Sequence, residues 1–251
     1  MVTNTLFLVR HGENPANLTR EFSYKKIDYP LTELGIRQAE QTAAYFAGMA
    51  NAGSGDSGGG SSGQGHDSAG SNNQGHRSAR SGGQGIDAII SSPLKRALQT
   101  AEIIGAATGH PVTVIEEFRE INCGDFDGAP PTDALWEHHD QILRGWRDGD
   151  HDAQFPGGEN YHMLLARVRS GLAQAVAGRD GQRIVIVAHG GIVGASLKDV
   201  CPDLDPQLIW TVPNRNCAVT ELELHADSLD SDISTARGVL KRWADCGHLG
   251  L

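Results

Sequence analysis

The sequence predicts an α/β fold, a three-layer sandwich in which helices flank a mainly parallel central sheet. Two observations predict it. Short apolar runs typical of strands buried on both faces recur along the chain. Between them lie stretches with apolar residues at helical spacing. Strands that alternate with helices in this way build parallel sheets, and ligands bind such sheets beyond the carboxyl ends of the strands.

Five strands are predicted. The first, second and fourth are buried runs, the third is a short strand, and the last alternates apolar and polar residues, which is typical of a strand at a sheet edge. In chain order they are TLFLVR (5–10), IDAIISS (86–92), VTVIE (112–116), RIVIVAH (183–189) and CAVTELEL (217–224).

Helices are predicted between these strands. Thr32 suits the N-cap of the helix in 31–49. In the helix of 92–109, Ser92 suits the N-cap, Pro93 the first helical position and Gly109 the C-terminal end. A further helix is predicted over 159–178.

A Gly/Ser-rich stretch interrupts this pattern at about 53–85. It holds almost no residue able to enter a core, so we interpret it as a flexible insert within a single domain that spans 1–251. His66 and His76 lie within it, but their spacing fits no standard metal-ligand pattern.

Composition narrows the class of protein. The chain has 251 residues, of which 39% are hydrophobic, and a formal net charge of -10. That acidic balance argues against nucleic acid or an anionic membrane as a partner. No apolar run reaches the ~20 residues of a membrane span. The four scattered cysteines form no CxxC pair and no charged-then-apolar segment begins the chain, so reduced thiols in a soluble cytoplasmic protein are expected.

Two histidines stand at the ends of predicted strands. His11 is followed by Gly12, and His189 by Gly190. A single histidine at such a position is often structural, but two at the carboxyl ends of parallel strands indicate a shared site. Glycine lets a ligand approach the backbone closely and directs amides toward an anion. We therefore expect these four residues to surround a bound anion.

Two arginines complete the pattern. Arg10 precedes His11, and Arg96 falls in the first turn of the helix after the second strand, so both guanidinium groups face the same sheet edge. A guanidinium group donates two parallel hydrogen bonds to phosphate oxygens, and its positive charge would repel a metal ion. The sequence therefore predicts a phosphoryl site that needs neither a metal nor a cofactor.

Four segments in this order resemble motifs of the histidine phosphatase superfamily, which includes the cofactor-dependent phosphoglycerate mutases. They are RHGENPAN (10–17), SSPLKRALQTA (91–101), FREINCGDFDG (118–128) and VAHGG (187–191). Weaker similarity is found in PGGEN (156–160), NCAVTEL (216–222) and CGHL (246–249). The resemblance implies these roles: phosphate acceptor His11, phosphate contact Asn17, catalytic arginines Arg10 and Arg96, proton donor Glu120 and second catalytic histidine His189.

The residue types suit this chemistry. A neutral imidazole is a nucleophile, and two arginines should keep His11 unprotonated, so that it attacks phosphorus and forms a phosphohistidine that water then hydrolyses. Glu120 would protonate the leaving group. From its position alone, Glu120 could equally be a loop carboxylate paired with Arg119.

Three further features are less specific. Glu13 is either an auxiliary acid that orients Arg10 or a hydrogen-bonding cap residue. Ser23 falls near a substrate loop of the family, although Tyr24 replaces the glycine that commonly follows in mutases. The segment 130–155 either lines the site or forms an amphipathic helix against the core.

Three functions fit these features. A phosphatase for a small phosphorylated metabolite is favoured over a 2,3-bisphosphoglycerate-dependent phosphoglycerate mutase and over a non-catalytic phosphate-binding module. After the donor glutamate, mutases typically carry a stretch resembling YGxLxGLNK, where this chain has CGDFDGAPPTDALWEHHD. Asp125 and Asp127 in that stretch would repel an anionic triose, which favours the phosphatase. The sequence identifies neither the metabolite nor the oligomeric state.

Overall fold

Six strands form one mixed sheet in the computed structural model, which describes residues 1–51, 85–227 and 236–250. The strands are β1 (Val2–Arg10), β2 (Ala88–Ser91), β3 (Val112–Val114), β4 (Arg183–Ala188), β5 (Val219–Ala226) and β6 (Arg237–Asp245). Their order across the sheet is β3-β2-β4-β1-β5-β6. The predicted insert at 53–85 lies, except for Gly85, outside the described residues.

The first four strands form a parallel unit, β3-β2-β4-β1, as predicted, in which β3 is a largely exposed edge strand. The prediction that the fifth strand forms an edge is wrong, because β5 lies antiparallel between β1 and β6. β6 forms the second edge of the sheet. Its charged residues Arg237, Lys241 and Arg242 break up the apolar pattern that would identify a strand in the sequence.

Helices cover both faces of the sheet, and the predicted three-layer α/β sandwich is confirmed. Successive β1 side chains point to opposite faces. Phe7 shares a core with Phe46 and residues of the helix after β2, whereas Leu6 shares the other core with Leu164 and Leu197. The helices are α1 (Pro15–Thr19), α2 (Glu33–Asn51), α3 (Lys95–Thr108), α4 (Asp133–Asp148), α5 (Tyr161–Val176), α6 (Gly190–Val200) and α7 (Pro206–Thr211).

Two predicted helix ends agree with the structure. The Thr32 hydroxyl accepts the Gly35 amide at 3.0 Å and so caps α2. Gly109 ends α3 in the left-handed region, with φ 75°.

The predicted start of α3 at Ser92 and Pro93 is wrong, because the helix begins at Lys95. The Ser92 hydroxyl lies instead 2.7 Å from Nε2 of His189. A carboxylate distant in sequence, Asp28, accepts the Lys95 amide at 2.9 Å. The start of α3 is therefore set by the Asp28 carboxylate, which the tertiary fold brings to Lys95, and not by the local Ser92-Pro93 pattern.

None of the described helices has the length and apolar character required to cross a membrane. The thiols are all free, in agreement with the expected reduced state, and they belong to Cys123, Cys201, Cys217 and Cys246.

Candidate active site

The carboxyl ends of β1 and β4 bring two histidines together. These strands are parallel neighbours, with Arg10 in register with Ala188. The next residues, His11 and His189, are both buried, and their ring centroids lie 5.1 Å apart. The structure thus places side by side the two histidines that the sequence locates at strand ends.

A cavity of about 1150 Å³ lies at this edge of the sheet. His189 is not among its lining residues and sits fully buried next to His11. Seven of the predicted site residues do line the cavity, and these are Arg10, His11, Asn17, Ser23, Arg96, Glu120 and Gly190.

The contacts of His11 determine which ring nitrogen carries the proton. Nε of Arg96 lies 3.1 Å from Nε2 of His11, and a guanidinium nitrogen can only donate. Nε2 therefore accepts, so the proton is on Nδ1, which donates to the Gly12 carbonyl oxygen at 2.7 Å. In this tautomer the lone pair is on Nε2, where it accepts the Arg96 hydrogen bond.

Both histidines are held neutral. Burial, followed by the charges of Arg96 and Arg10, lowers the pKa of His11 well below its ordinary value of 6.5. Burial likewise lowers the pKa of His189, with further contributions from Arg96, His11 and Arg10. An unprotonated His11 satisfies the first requirement of a nucleophile.

This neutrality predicts that stability falls in mild acid. Below about pH 6.5 the unfolded chain protonates both histidines more readily than the folded chain, so each should cost up to about 2 kcal/mol of unfolding free energy between pH 7 and pH 5. His189→Gln should therefore lose less stability than the wild type over that interval, by up to about 2 kcal/mol. Urea unfolding at the two pH values measures the difference. An equal loss in both proteins would contradict the assignment.

Arg96 connects His11 to the loop that follows α1. Besides its bond to His11, it donates from Nη1 to the Ser23 hydroxyl and from Nη2 to the Ser23 carbonyl oxygen, both at 2.9 Å. Burial lowers the pKa of Arg96 to about 10, which leaves the guanidinium charged at neutral pH. A buried, charged fork beside His11 is suited to a phosphoryl group.

Two buried nitrogens beside His11 have no protein partner. Arg10 donates from Nη1 to the Asn214 carbonyl oxygen, but its Nε is unpaired. Nε2 of His189 contacts the Ser92 hydroxyl, and Nδ1 of His189 is unpaired. Buried polar atoms are normally satisfied, so these two nitrogens are available to the polar atoms of a ligand.

Glu120 reaches the cavity from the segment between β3 and α4. Its Oε2 accepts the Gly191 amide at 3.1 Å, and its Oε1 accepts the Ile192 amide at 2.8 Å. The carboxylate therefore sits at the N-terminus of α6, where the helix dipole favours it. Arg119 pairs with Glu116 instead, so the interpretation of Glu120 as the partner of Arg119 is wrong.

Comparison with known proteins decides the family. The model of the histidine phosphatase superfamily (branch 1) matches residues 6–53 and 68–232. The chain belongs to the histidine phosphatase superfamily. The resemblance seen in the sequence motifs is thereby confirmed, and the chain is an enzyme of the phosphatase class.

Some relatives of this histidine phosphatase are named phosphatases, and others are named phosphoglycerate mutases. "Uncharacterized phosphatase PhoE" of Bacillus subtilis is 28% identical over 80% of this chain and 79% of its own. "Probable phosphoglycerate mutase GpmB" of Salmonella paratyphi B is 28% identical over 97% of this chain and 94% of its own. A mycobacterial glucosyl-3-phosphoglycerate phosphatase, solved in complex with VO3, is 25% identical, with a TM-score of 0.65 over 96% of this chain and 98% of its own.

Two predicted substrate contacts of this histidine phosphatase lie outside the cavity lining, Gly12 and Glu13. The Gly12 amide donates to the Thr100 hydroxyl at 3.1 Å, so it does not point at an anion. A Cβ at Gly12 would lie 2.5 Å from the Gly35 carbonyl oxygen, so close packing against α2 requires glycine here. The Glu13 carboxylate accepts the Thr32 hydroxyl at 2.8 Å, which matches its interpretation as a hydrogen-bonding residue.

The acidic residues that favoured the phosphatase in the sequence, Asp125 and Asp127, do not line the cavity, so that argument fails. Asp127 is buried and accepts the backbone amides of residues 24–27. Burial acts to raise the pKa of Asp127, but these amides together lower it. Asp127 thus organises the loop that begins at Ser23.

Both interpretations of the segment 130–155 are confirmed, because the helix α4 packs against the core and also lines the cavity. α4 is amphipathic, and its Ile142 and Trp146 side chains are buried. The same helix lines the cavity with Trp136, His139, Leu143, Trp146 and Arg147.

The sequence analysis missed the pair that supports Glu120. Arg167 on α5 forms an ion pair with Glu159 at 2.7 Å and donates to the carbonyl oxygens of Glu117, Arg119 and Glu120. Glu159 also accepts the Asn122 amide at 2.7 Å. The PGGEN similarity, which contains Glu159, was the available signal.

Two asparagines that precede β5 were also missed. Asn216 donates through Nδ2 to the His11 carbonyl oxygen at 2.9 Å and to Oδ1 of Asn17 at 3.2 Å. Asn214 lines the cavity. Because β5 is antiparallel to β1, its first residues lie beside the last residues of β1. Antiparallel pairing is the information that would have placed them there.

Proposed function

We propose that this protein is a metal-independent phosphatase that hydrolyses a small phosphorylated metabolite through a phosphohistidine on His11. One observation carries the proposal: the neutral His11, with its lone pair on Nε2, lies beside Nε of Arg10 and Nδ1 of His189, two buried nitrogens that lack protein partners. A phosphoryl group supplies the electrophile for Nε2 of His11, and its oxygens supply acceptors for Arg10 Nε and for His189 in the tautomer that carries the proton on Nδ1.

In the first step, Nε2 of His11 attacks phosphorus in line with the ester oxygen. The P–N bond forms as the P–O ester bond breaks, and the leaving alkoxide takes a proton. Arg96 must release Nε2 and turn its Nε–H toward a phosphoryl oxygen. Arg10 Nε and His189 Nδ1 would bond the remaining oxygens as negative charge develops on them.

Glu120 is proposed as the proton donor to the leaving oxygen. It lines the cavity and is held by three backbone amides, two on Oε1 and one on Oε2, so Oε2 is the less saturated oxygen. The deprotonated carboxylate then takes a proton from water, which attacks phosphorus and breaks the P–N bond. Inorganic phosphate leaves, and both residues return to their starting states.

The cysteine thiols and a metal centre are less suited than His11 to supply the nucleophile. Burial raises the pKa of Cys217, which lies close to the site, to about 12, so its thiolate is scarce at neutral pH. Among the described residues, no three His, Cys, Asp or Glu side chains are grouped so as to hold a metal ion. We therefore assign the role of nucleophile to His11.

Hydrolysis is favoured over a mutase reaction because the outer cations of the cavity already have partners. A mutase must hold a carboxylate beside the phosphate. Arg20 pairs with Asp133, Arg147 with Asp148, and Lys198 donates to two backbone carbonyl oxygens. These cations are therefore less available to a phosphoglycerate carboxylate.

Coupled assays on one preparation test this choice. We expect release of inorganic phosphate from a phosphomonoester, unaffected by EDTA, with no need for bisphosphoglycerate and negligible interconversion of the two phosphoglycerate isomers. Rapid isomerisation that depends on bisphosphoglycerate, with little free phosphate, would replace the phosphatase by a mutase and leave the role of His11 intact. Inactivation by EDTA, reversed by a divalent metal, would contradict metal independence.

A further inference from the structure

The cavity extends well beyond the phosphoryl site, and its outer part is aromatic. The chain contains four tryptophans. All of them line this one cavity, and they are Trp136, Trp146, Trp210 and Trp243. They come from three separate elements, α4, α7 and β6. A triose phosphate would leave most of such a volume of about 1150 Å³ unfilled.

In three of the four indoles the ring nitrogen, which is the only polar atom, donates a hydrogen bond to a backbone carbonyl oxygen. Nε1 of Trp136 donates to the Arg20 carbonyl oxygen at 2.9 Å and Nε1 of Trp146 to that of Ala153 at 2.7 Å. Nε1 of Trp243 donates to the Val212 carbonyl oxygen at 3.0 Å. These three rings therefore have no free hydrogen-bond donor to offer a ligand, and two of them, Trp146 and Trp243, are buried in the core beside the cavity.

Trp210 is the exposed member of the set. It lies on α7, and 51% of it is exposed. The Arg147 guanidinium of α4 sits 5.4 Å from its ring centroid, which joins the two helices across the cavity. An indole kept at a cavity wall, with so little packing of its own, is suited to stacking against a ligand.

Two polar side chains in the same region are already engaged by the protein. Nζ of Lys198 donates to the Pro202 and Leu204 carbonyl oxygens. The Asp199 carboxylate accepts from Arg169 at 2.6 Å. The remaining wall is largely apolar and includes Phe22, Leu143, Pro206, Ile209 and Pro213.

Resting on the phosphatase reaction proposed above, we propose that this tryptophan-lined part of the cavity binds a planar aromatic group on the alcohol half of the phosphomonoester. Stacking at a distance from the reacting atoms supplies binding energy that holds the ester in line with His11. The aromatic group, and not a sugar or a carboxylate, then determines which ester is preferred.

Three primary alkyl esters test the preference, because their leaving groups need the same protonation: naphthylethyl phosphate, ethyl phosphate and glucose 6-phosphate. We expect kcat/KM for naphthylethyl phosphate to exceed that for the other two by at least about tenfold. In Trp210→Ala the ratio of naphthylethyl to ethyl phosphate should fall about fivefold. Met163→Ala is the matched control, since Met163 is also 51% exposed but lies outside the cavity lining, and its ratio should not change.

Binding of naphthylethylphosphonate, which cannot be hydrolysed, separates this proposal from the phosphatase proposal. It should quench tryptophan fluorescence and bind at least about tenfold more tightly than ethylphosphonate. Tighter phosphonate binding without turnover of any ester would leave the aromatic site standing and overturn the phosphatase. Phosphatase activity with equal preference, or with glucose 6-phosphate preferred, would overturn the aromatic site.

Discussion

His11→Ala is expected to lower kcat/KM for every phosphomonoester by at least about a thousandfold, because it removes the proposed nucleophile, Nε2, from between the two arginines. In the wild type, rapid quenching in alkali during turnover of a radiolabelled ester should trap phosphate on the protein. That label should be stable in base, labile in acid, and located on His11, as expected for a phosphorus–nitrogen bond.

His138→Ala is the matched control for this experiment. His138 lies on α4, is exposed and does not line the cavity, so its loss should leave turnover and labelling unchanged. A His11→Ala protein that kept more than about a thousandth of the wild-type rate would exclude His11 as nucleophile. Label on any other residue would do the same.

The residues that were placed best from the sequence follow buried parallel strands. β1 and β4 are continuous apolar runs, so their ends could be located, and parallel strands end at one sheet edge. Arg10, His11 and His189 were therefore placed together by general rules alone. Arg96 was placed correctly even though the predicted start of α3 was wrong, because a shift of the helix start to Lys95 leaves it in the first turn.

The residues that were placed poorly depend on tertiary contacts. Glu120 is far along the chain from the α6 amides that hold it, and no periodicity links the two. Its assignment came from the family resemblance alone. Asp127 was misjudged for the same reason, since its four amide partners lie about a hundred residues earlier. Charge in a sequence does not reveal whether a carboxylate faces a ligand or a loop.

β6 illustrates a different difficulty. A strand at the edge of a sheet has a neighbouring strand on one side only. Charged residues can therefore occupy it, and no apolar run is needed. Without β6, β5 was taken as the edge, and Trp243 could not be placed beside the cavity. The phosphoryl site was therefore more predictable than the surface that receives the rest of the substrate.

Glu120→Gln is expected to separate proton donation from positioning. An alkyl ester needs a protonated leaving oxygen, whereas nitrophenolate leaves without a proton. For ethyl phosphate, kcat/KM should fall about a thousandfold, and for nitrophenyl phosphate less than about tenfold. The ratio kcat/KM is the proper measure, because in a two-step transfer it reports the steps up to formation of the phosphohistidine and not its hydrolysis.

Glu159→Gln provides the matched comparison, since it changes the ion pair with Arg167 that supports the Glu120 segment without touching the proposed proton donor. Because Glu159→Gln leaves the Glu120 carboxyl group in the protein, its loss for ethyl phosphate should be at least about tenfold smaller than the loss in Glu120→Gln, with nitrophenyl phosphate again less affected. If Glu120→Gln lowered both activities equally, the carboxylate would be a positioning residue and the proton would have to come from another group of the cavity. A large loss for the ester with the poor leaving group, deepest when the Glu120 carboxyl group itself is removed, is the result expected of a proton donor.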